Sequence, residues 1–402
     1  MGTGFTTEAH EQLRARVREF AESEIEPEIP RMEAERRVER DLVSAVARRG
    51  WVGVTVTPED GITAVGHLAK TVIVEELSRV SGAIGAAVQA LQLGVAKISH
   101  YGTAEQRAKW LPLIAAGDCL PTIAVTEEQS GGHVLGMEAT AVREGDDYVL
   151  SGRKVFVGSS HIGDLHGVVV RTGPGSEGLT AFLVEADRPG LRLAPHRPAM
   201  GLHGFGFGEL VFEDCRVPTS NRLGREGEGL ELAHSSSILY GRANLAGVAL
   251  GTHQALWEQT AAYTTETYRY GVPLARQPVV EQVLGRIQSR LMTARTLAYH
   301  AVSLLDAGVP CDAELMNAKL VGVELARESA QDAMDLHGGA GLFPDLPVER
   351  YFRDVQHLYA PAGTSEVQLL RLARMALGES RAQCSETLAD RLVPGGRLAL
   401  TT

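Results

Sequence analysis

The chain has 402 residues, 44% of them hydrophobic and 22% charged, and a formal charge of -11. That is globular composition, and the length exceeds what one hydrophobic core usually serves, so two or three domains are expected. Lys and Arg are scattered along an acidic chain, which argues against nucleic acid and anionic membrane surfaces as partners.

The four cysteines, Cys119, Cys215, Cys311 and Cys384, lie far apart and form no CxxC pair. Neither a zinc site nor a disulfide framework is suggested, and a reducing cytoplasm fits best. The start, MGTGFTTEAHEQL, lacks the apolar core of a signal peptide, and no apolar run reaches the roughly 18 residues of a membrane-spanning helix.

From Glu8 to about Ala116 apolar residues recur at helical spacing, as in LRARVREFAESEI and HLAKTVIVEELSRV. Gly50, Gly53, Pro58 and Gly61 predict a loop within this helical region. Between Pro121 and about Arg225 the texture changes to short β-branched runs, among them SGRKVFVG, HGVVVRT, LTAFLVE and GELVFEDCRV, with turn signals at Gly145-Asp146-Asp147 and Pro174-Gly175. From Gly229 to about Gly378 the helical period returns in long stretches. The expected architecture is therefore mainly α with a central β domain: a helical domain over 1–120, a β domain over 121–228, a helical bundle over 229–380 and a tail over 381–402.

Four segments could carry chemistry. IAVTEEQSGGH, residues 123–133, combines a hydroxyl, carboxylates and paired glycines whose backbone can approach a ligand. SGRKVFVGSSH offers Phe156 to a planar ring and Gly158 for close backbone approach. HGGAGLFPDLPVERYFRDVQ, residues 337–356, is glycine-rich but follows a helix, so it fails the context of a Rossmann phosphate loop. In APAGTSEVQLLRLARMALG, Gly363 and Thr364 or Ser365 begin a helix that Gly378 can end, and a helix N-terminus can hold a phosphate or polarise a carbonyl. Taken singly, each also reads as an ordinary turn, strand or cap.

Together, in this order and separation, these segments resemble the acyl-CoA dehydrogenase family over about residues 8–380. GREGEGLELAHSSSILYGRANLAGVALG and YRYGVPLARQ extend the likeness. The resemblance implies an N-terminal helical domain, a middle β barrel or sandwich, a C-terminal four-helix bundle, non-covalent FAD and a homo-oligomer, usually a tetramer. It also implies an acyl thioester substrate, on CoA or a carrier protein, and an electron acceptor. Carried over residue by residue, Val125, Thr126 and Gly131 meet the flavin. Phe156 takes the place of a Trp beside it and Gly158 the place of a Thr. Arg269, Tyr270, Gly338 and Gly339 meet a neighbouring subunit's FAD, and Thr364 and Glu366 complete the cofactor site. Gly132, Leu239, Gly241, Arg242 and Ala362 fall in the substrate pocket. No metal is implied.

The departures from the family carry as much information. In its usual mechanism a glutamate takes the α proton of the thioester while a hydride passes to the flavin. The usual position of that glutamate is Ala362 here, and the alternative position is Gly241. Neither can take a proton, so the catalytic residue is left open, with Glu127, Glu128, His133, Tyr240, His337 and Tyr359 as imaginable substitutes. The usual Gly-Ser-Asp is Gly131-Gly132-His133, Leu239 stands where aspartate is common, Thr267 replaces an arginine and Asp335 a glutamine. The leading expectation is an FAD-dependent oxidoreductase acting on an acyl thioester with a relocated or absent base. A flavin monooxygenase, a non-redox acyl-CoA lyase and a non-catalytic flavin-binding protein are the alternatives.

Overall fold

The structure, a computed structural model, describes residues 4–56, 66–379 and 383–386. Pro58, Gly61 and most of the expected tail lie outside the described residues. The first layer is helical: α1 (Glu8–Phe20), α2 (Ile29–Glu35), α3 (Arg40–Ala47), α4 (Gly66–Val80), α5 (Gly82–Tyr101) and α6 (Ala104–Ala116). The stops follow local chemistry. Ser81 caps α5 by accepting from the amide of Ile84, Thr103 and Gln106 form a capping box on α6, and Gly117, at φ 78°, ends it.

Helix α4 is buried on nearly every face, unlike a surface helix with one apolar stripe. Its carboxylates are accordingly paired. Glu75 accepts from Arg14, Arg295 and the Tyr299 hydroxyl, and Glu76 from Arg14 and Arg18, so α4 ties α1 to the later helices.

The middle domain is an eight-stranded mixed sheet of β1 (Pro121–Ala124), β2 (Thr140–Glu144), β3 (Asp147–Gly158), β4 (Leu165–Arg171), β5 (Leu179–Glu185), β6 (Leu191–Leu193), β7 (Phe207–Pro218) and β8 (Arg222–Leu223). The order is β6-β7-β3-β2-β4-β5-β8, with β1 parallel to β4. Valine, leucine and aromatic residues from alternate positions of β3, β4, β5 and β7 fill its core. The β3–β7 register slips between Lys154 and Val157, and Phe156 sits in that slip at φ 54°. Such a bulge re-aims a side chain, and here it leaves the Phe156 ring 70% exposed.

The last part comprises α7 (Gly229–Ser235), a π-helical stretch over Ser236–Arg242, α8 (Ala243–Glu266), a short hairpin of β9 (Tyr268–Arg269) and β10 (Val272–Pro273), α9 (Pro278–Asp306), α10 (Asp312–His337), α11 (Val348–Gln356) and α12 (Ser365–Ala376). Helices α8, α9 and α10 pack on one another, α12 lies on α10, and α4 packs against α8 and α9. The helical period returns through LELAHSSSILYGRANLAGVALG, with no local sign of an irregular turn. The structure is helical throughout this segment and adds a π stretch, whose wider turn re-registers Leu239 to Arg242 within the helix.

Candidate functional site

The loop after β1 is stitched to β3. Lys154 donates from Nζ to the Val125 carbonyl at 3.0 Å, and the Val155 amide donates to the Thr126 carbonyl at 2.9 Å. Val125, Thr126 and Phe156 thereby share one edge of the sheet. Gly158 lies behind it, where an added Cβ would come within 3.0 Å of Ala90 and 3.1 Å of Phe205. A side chain there would fit only if Ala90 or Phe205 gave way by a few tenths of an ångström. Gly131 is open to its surroundings.

Glu127 is not placed to move protons. Its buried carboxylate accepts from Lys154 Nζ at 2.7 Å, from the amides of Glu138 and Ala139, and from Gln129. Burial would raise its pKa, but the Glu138 amide and the Lys154 ammonium outweigh burial and hold it below the ordinary carboxylate range. Glu128 points away, exposed and 3.6 Å from Arg153.

The second focus joins the π stretch to the loop before α12. A Cβ built on Gly241 would lie 3.1 Å from the Ala362 Cβ and 3.6 Å from Leu93. The two positions that the family resemblance singles out thus address one point in space. Beside them Arg242, 1% exposed, donates from Nε to the Ala362 carbonyl at 3.3 Å. Ala362 itself is left-handed at φ 55°. Lys319 holds the loop from below, donating to the carbonyls of Tyr359 and Gly363, while Gln368 also donates to Gly363. Val367 of α12 faces both Gly363 and Gly132, which brings the glycine loop after β1 to the same place. Leu239 lies in the apolar core with Tyr240, Ile238 and Leu68.

Thr364 is the N-cap residue of α12 in extended conformation, and Glu366 in the first turn accepts from the Tyr359 hydroxyl at 2.6 Å. That bond, ahead of other causes, raises the Tyr359 pKa. His133 is exposed. His337 donates from Nδ1 to the Ala333 carbonyl, and burial lowers its pKa.

Arg269, Tyr270, Gly338 and Gly339 form a separate group at one end of the bundle. Tyr263 near the end of α8 stacks on His337 at the end of α10, with centroids 4.2 Å apart, so the β9–β10 hairpin and the glycine loop follow from one junction. Tyr270 is 98% exposed at φ 54°, and neither glycine has anything near its absent Cβ.

Sequence reading missed one cluster. Behind Gly241, the Tyr240 hydroxyl meets His100 Nε2 at 3.0 Å, and the Lys70 ammonium lies 4.2 Å from the Tyr240 ring centroid and 3.0 Å from His67 Nδ1. Asp306 accepts from the amides of His67 and Leu68, starting α4. Burial pulls Lys70 down to about 7 and pushes Tyr240 up to about 12. The available signal was a lysine inside the otherwise apolar run HLAKTVIV. Among the described residues no helix is long and apolar enough to cross a membrane, and no group of His, Cys, Asp and Glu is arranged to hold a metal ion.

Comparison with known proteins matches all three parts of the chain. Residues 7–118 match the N-terminal domain of acyl-CoA dehydrogenases, 122–215 the middle domain and 227–377 the C-terminal domain. An acyl-CoA dehydrogenase of Bacillus subtilis is 32% identical over 375 residues, covering 92% of this chain and 99% of that protein. The structure of butyryl-CoA dehydrogenase from Megasphaera elsdenii superposes with a TM-score of 0.90 at 27% identity, covering 92% and 99% of the two chains. That of the prolyl acyl carrier protein oxidase AnaB gives 0.87 at 28% identity, covering 92% and 99%. With all three domains matched in order, the chain belongs to the acyl-CoA dehydrogenase family and is an oxidoreductase flavoenzyme of that type.

Proposed function

We propose that this enzyme binds FAD and oxidises an acyl thioester, carried by CoA or by a carrier protein, without a carboxylate base at either of the positions that normally supply one. The observation that carries this reading is the convergence of Gly241 and Ala362 on one point, 3.1 Å apart at their Cβ positions, with no acidic side chain from either. Two carboxylates of the site segments are committed elsewhere: Glu127 to Lys154 and two amides, Glu366 to Tyr359.

The residues present fit a flavin. An exposed aromatic ring on a strand bulge, held at positive φ, is an uncovered apolar face beside an open glycine loop, and a planar ring would cover it. Val125, Thr126, Gly131, Phe156 and Gly158 would hold the ring system, with Thr364 and Glu366 completing the site. Arg269, Tyr270, Gly338 and Gly339, exposed at the bundle end, would meet the FAD of a second copy, which makes a homo-oligomer part of the proposal. FAD would supply the two-electron acceptor, and a separate protein or small molecule would reoxidise it. Gly132, Leu239, Gly241, Arg242 and Ala362 would shape the acyl pocket, with Leu239 an apolar wall.

A positioned general base contributes about 10²–10⁴ in rate. The native substrate must therefore have an α proton acid enough for solvent water to take it, which makes up that factor. Anaerobic mixing of the flavin-loaded protein with a panel of acyl-CoA and acyl-carrier-protein thioesters tests the reading. Bleaching of the oxidised flavin by at least one of them is expected. No bleaching by any, together with a peroxide-type absorbance when the reduced protein meets oxygen, would replace it with a monooxygenase.

A further inference from the structure

The guanidinium of Arg242 is buried to 1% exposure, and its Nη1 has no hydrogen-bond partner. Its one donated bond, from Nε, goes to a backbone carbonyl. Leaving a charged donor unpaired in the interior is costly, so such a group is a sign of a missing partner. Among the described residues no carboxylate lies within ion-pair reach of it. Asp312, an acid whose charge acts on it, is already bonded by the Ser385 hydroxyl and by the amides of Cys384 and Ser385.

The surroundings add positive charge. Lys319 is bound to carbonyls, not to acids, and Arg371 contacts His234. Burial first, then the like charge of Arg371, pulls Arg242 down to about 9. A glutamate at 241 or at 362 would extend from the point that both Cβ positions address, beside this guanidinium. In this chain the same place has a glycine and an alanine.

We propose that Arg242 is the receptor for a carboxylate carried on the acyl group of the substrate, seated in the space that a glutamate side chain at 241 or 362 would fill. The substrate class is then an acyl thioester with an acidic substituent close to the reacting carbons, held in part by a charge-assisted, geometrically specific guanidinium–carboxylate contact. The identity of the ligand as an acyl group rests on the thioester reading above. The anion site itself does not.

Formate and acetate serve as probes, with melting temperature as the readout. In the wild type, sodium formate should raise the melting temperature saturably above sodium chloride at equal ionic strength, by about 2 °C or more once the site is filled. Ala362→Glu supplies the carboxylate from within, so it should melt above Ala362→Gln, which shares its size and backbone strain, and it should lose the formate shift. Formate behaving as chloride does would overturn the proposal. So would a formate shift that persists in Ala362→Glu, marking an adventitious ion elsewhere, or an Ala362→Glu that melts no higher than Ala362→Gln. Failure of every thioester to bleach the flavin would sink the thioester reading and leave these shifts in place. Loss of the shifts with bleaching intact would sink the anion site alone.

Discussion

Replacing Lys70 by Met should stabilise the protein, and by an amount that depends on pH. The Lys70 ammonium is wholly buried on α4 between His67, the Tyr240 ring and the backbone, with Asp306 as the acid that acts on it. Burial brings it from 10.5 to about 7. At about 1.36 kcal/mol per unit, a fall of about 3.5 units is a penalty of up to about 5 kcal/mol when the group is charged in both states. The folded value lies below the unfolded one, so between about pH 7 and pH 10 the unfolded chain binds the extra proton and stability rises with pH. Below about pH 7 the full penalty applies. Guanidinium unfolding of wild type and Lys70→Met at pH 6, 8 and 10 should therefore show the largest advantage for the variant at pH 6 and almost none at pH 10. A variant less stable than wild type at pH 6, or an advantage that does not change with pH, would refute the argument. It would mean that His67 and Asp306 pair the ammonium well enough to offset burial.

Glu127→Ala should cost about 3–5 kcal/mol, because it strands the Lys154 ammonium, 0% exposed, without the carboxylate that pairs it. Denaturant midpoints check this, and lost turnover at unchanged stability would instead make Glu127 the base. Glu75→Ala should cost up to a similar amount by leaving Arg295 without its carboxylate, while Arg14 keeps Glu76. Burial opposes the charge on Glu75, yet Arg295 and Arg14 hold its pKa below the ordinary range, so its contribution is complete above about pH 5 and is lost as pH falls through that lowered value. Acid titration of wild type against Glu75→Gln should show the wild type's advantage vanish at low pH, and an advantage that survives there would contradict the pairing. Phe156→Ala should leave the melting temperature of the flavin-free protein nearly unchanged, since the ring is 70% exposed, while weakening flavin retention on a desalting column. Unchanged retention would remove Phe156 from the cofactor site.

Much of the fold was legible because its periods are clean. The helical stretches over residues 8–116 and 229–378 and the β-branched runs between them are where the structure has helices and strands, since apolar spacing decides which face can be buried. What sequence could not give was the π stretch at Ser236–Arg242 and the bulge at Phe156. Both are single-residue offsets set by tertiary packing, and neither changes the local period enough to read. For the site, the chain positions of Gly241 and Ala362 were visible, but their meeting within 3.1 Å depends on how α12 docks beside the π turn. The unpaired state of Arg242 and the Lys70 cluster were invisible for the same reason. Partners 120 residues apart, such as Arg242 and Ala362, are supplied by the fold and not by spacing.

Gly241 and Ala362 share one point in space, and neither places a carboxylate base there. The most direct measurement is the rate of anaerobic flavin bleaching by a simple saturated acyl-CoA, such as butyryl-CoA, in wild type and in Ala362→Glu. A gain of about a hundredfold or more on restoring the carboxylate is predicted, with wild type nearly inert towards that substrate. A wild type that bleaches rapidly with butyryl-CoA, and gains nothing from the glutamate, would contradict it, because a base would then already be in place elsewhere.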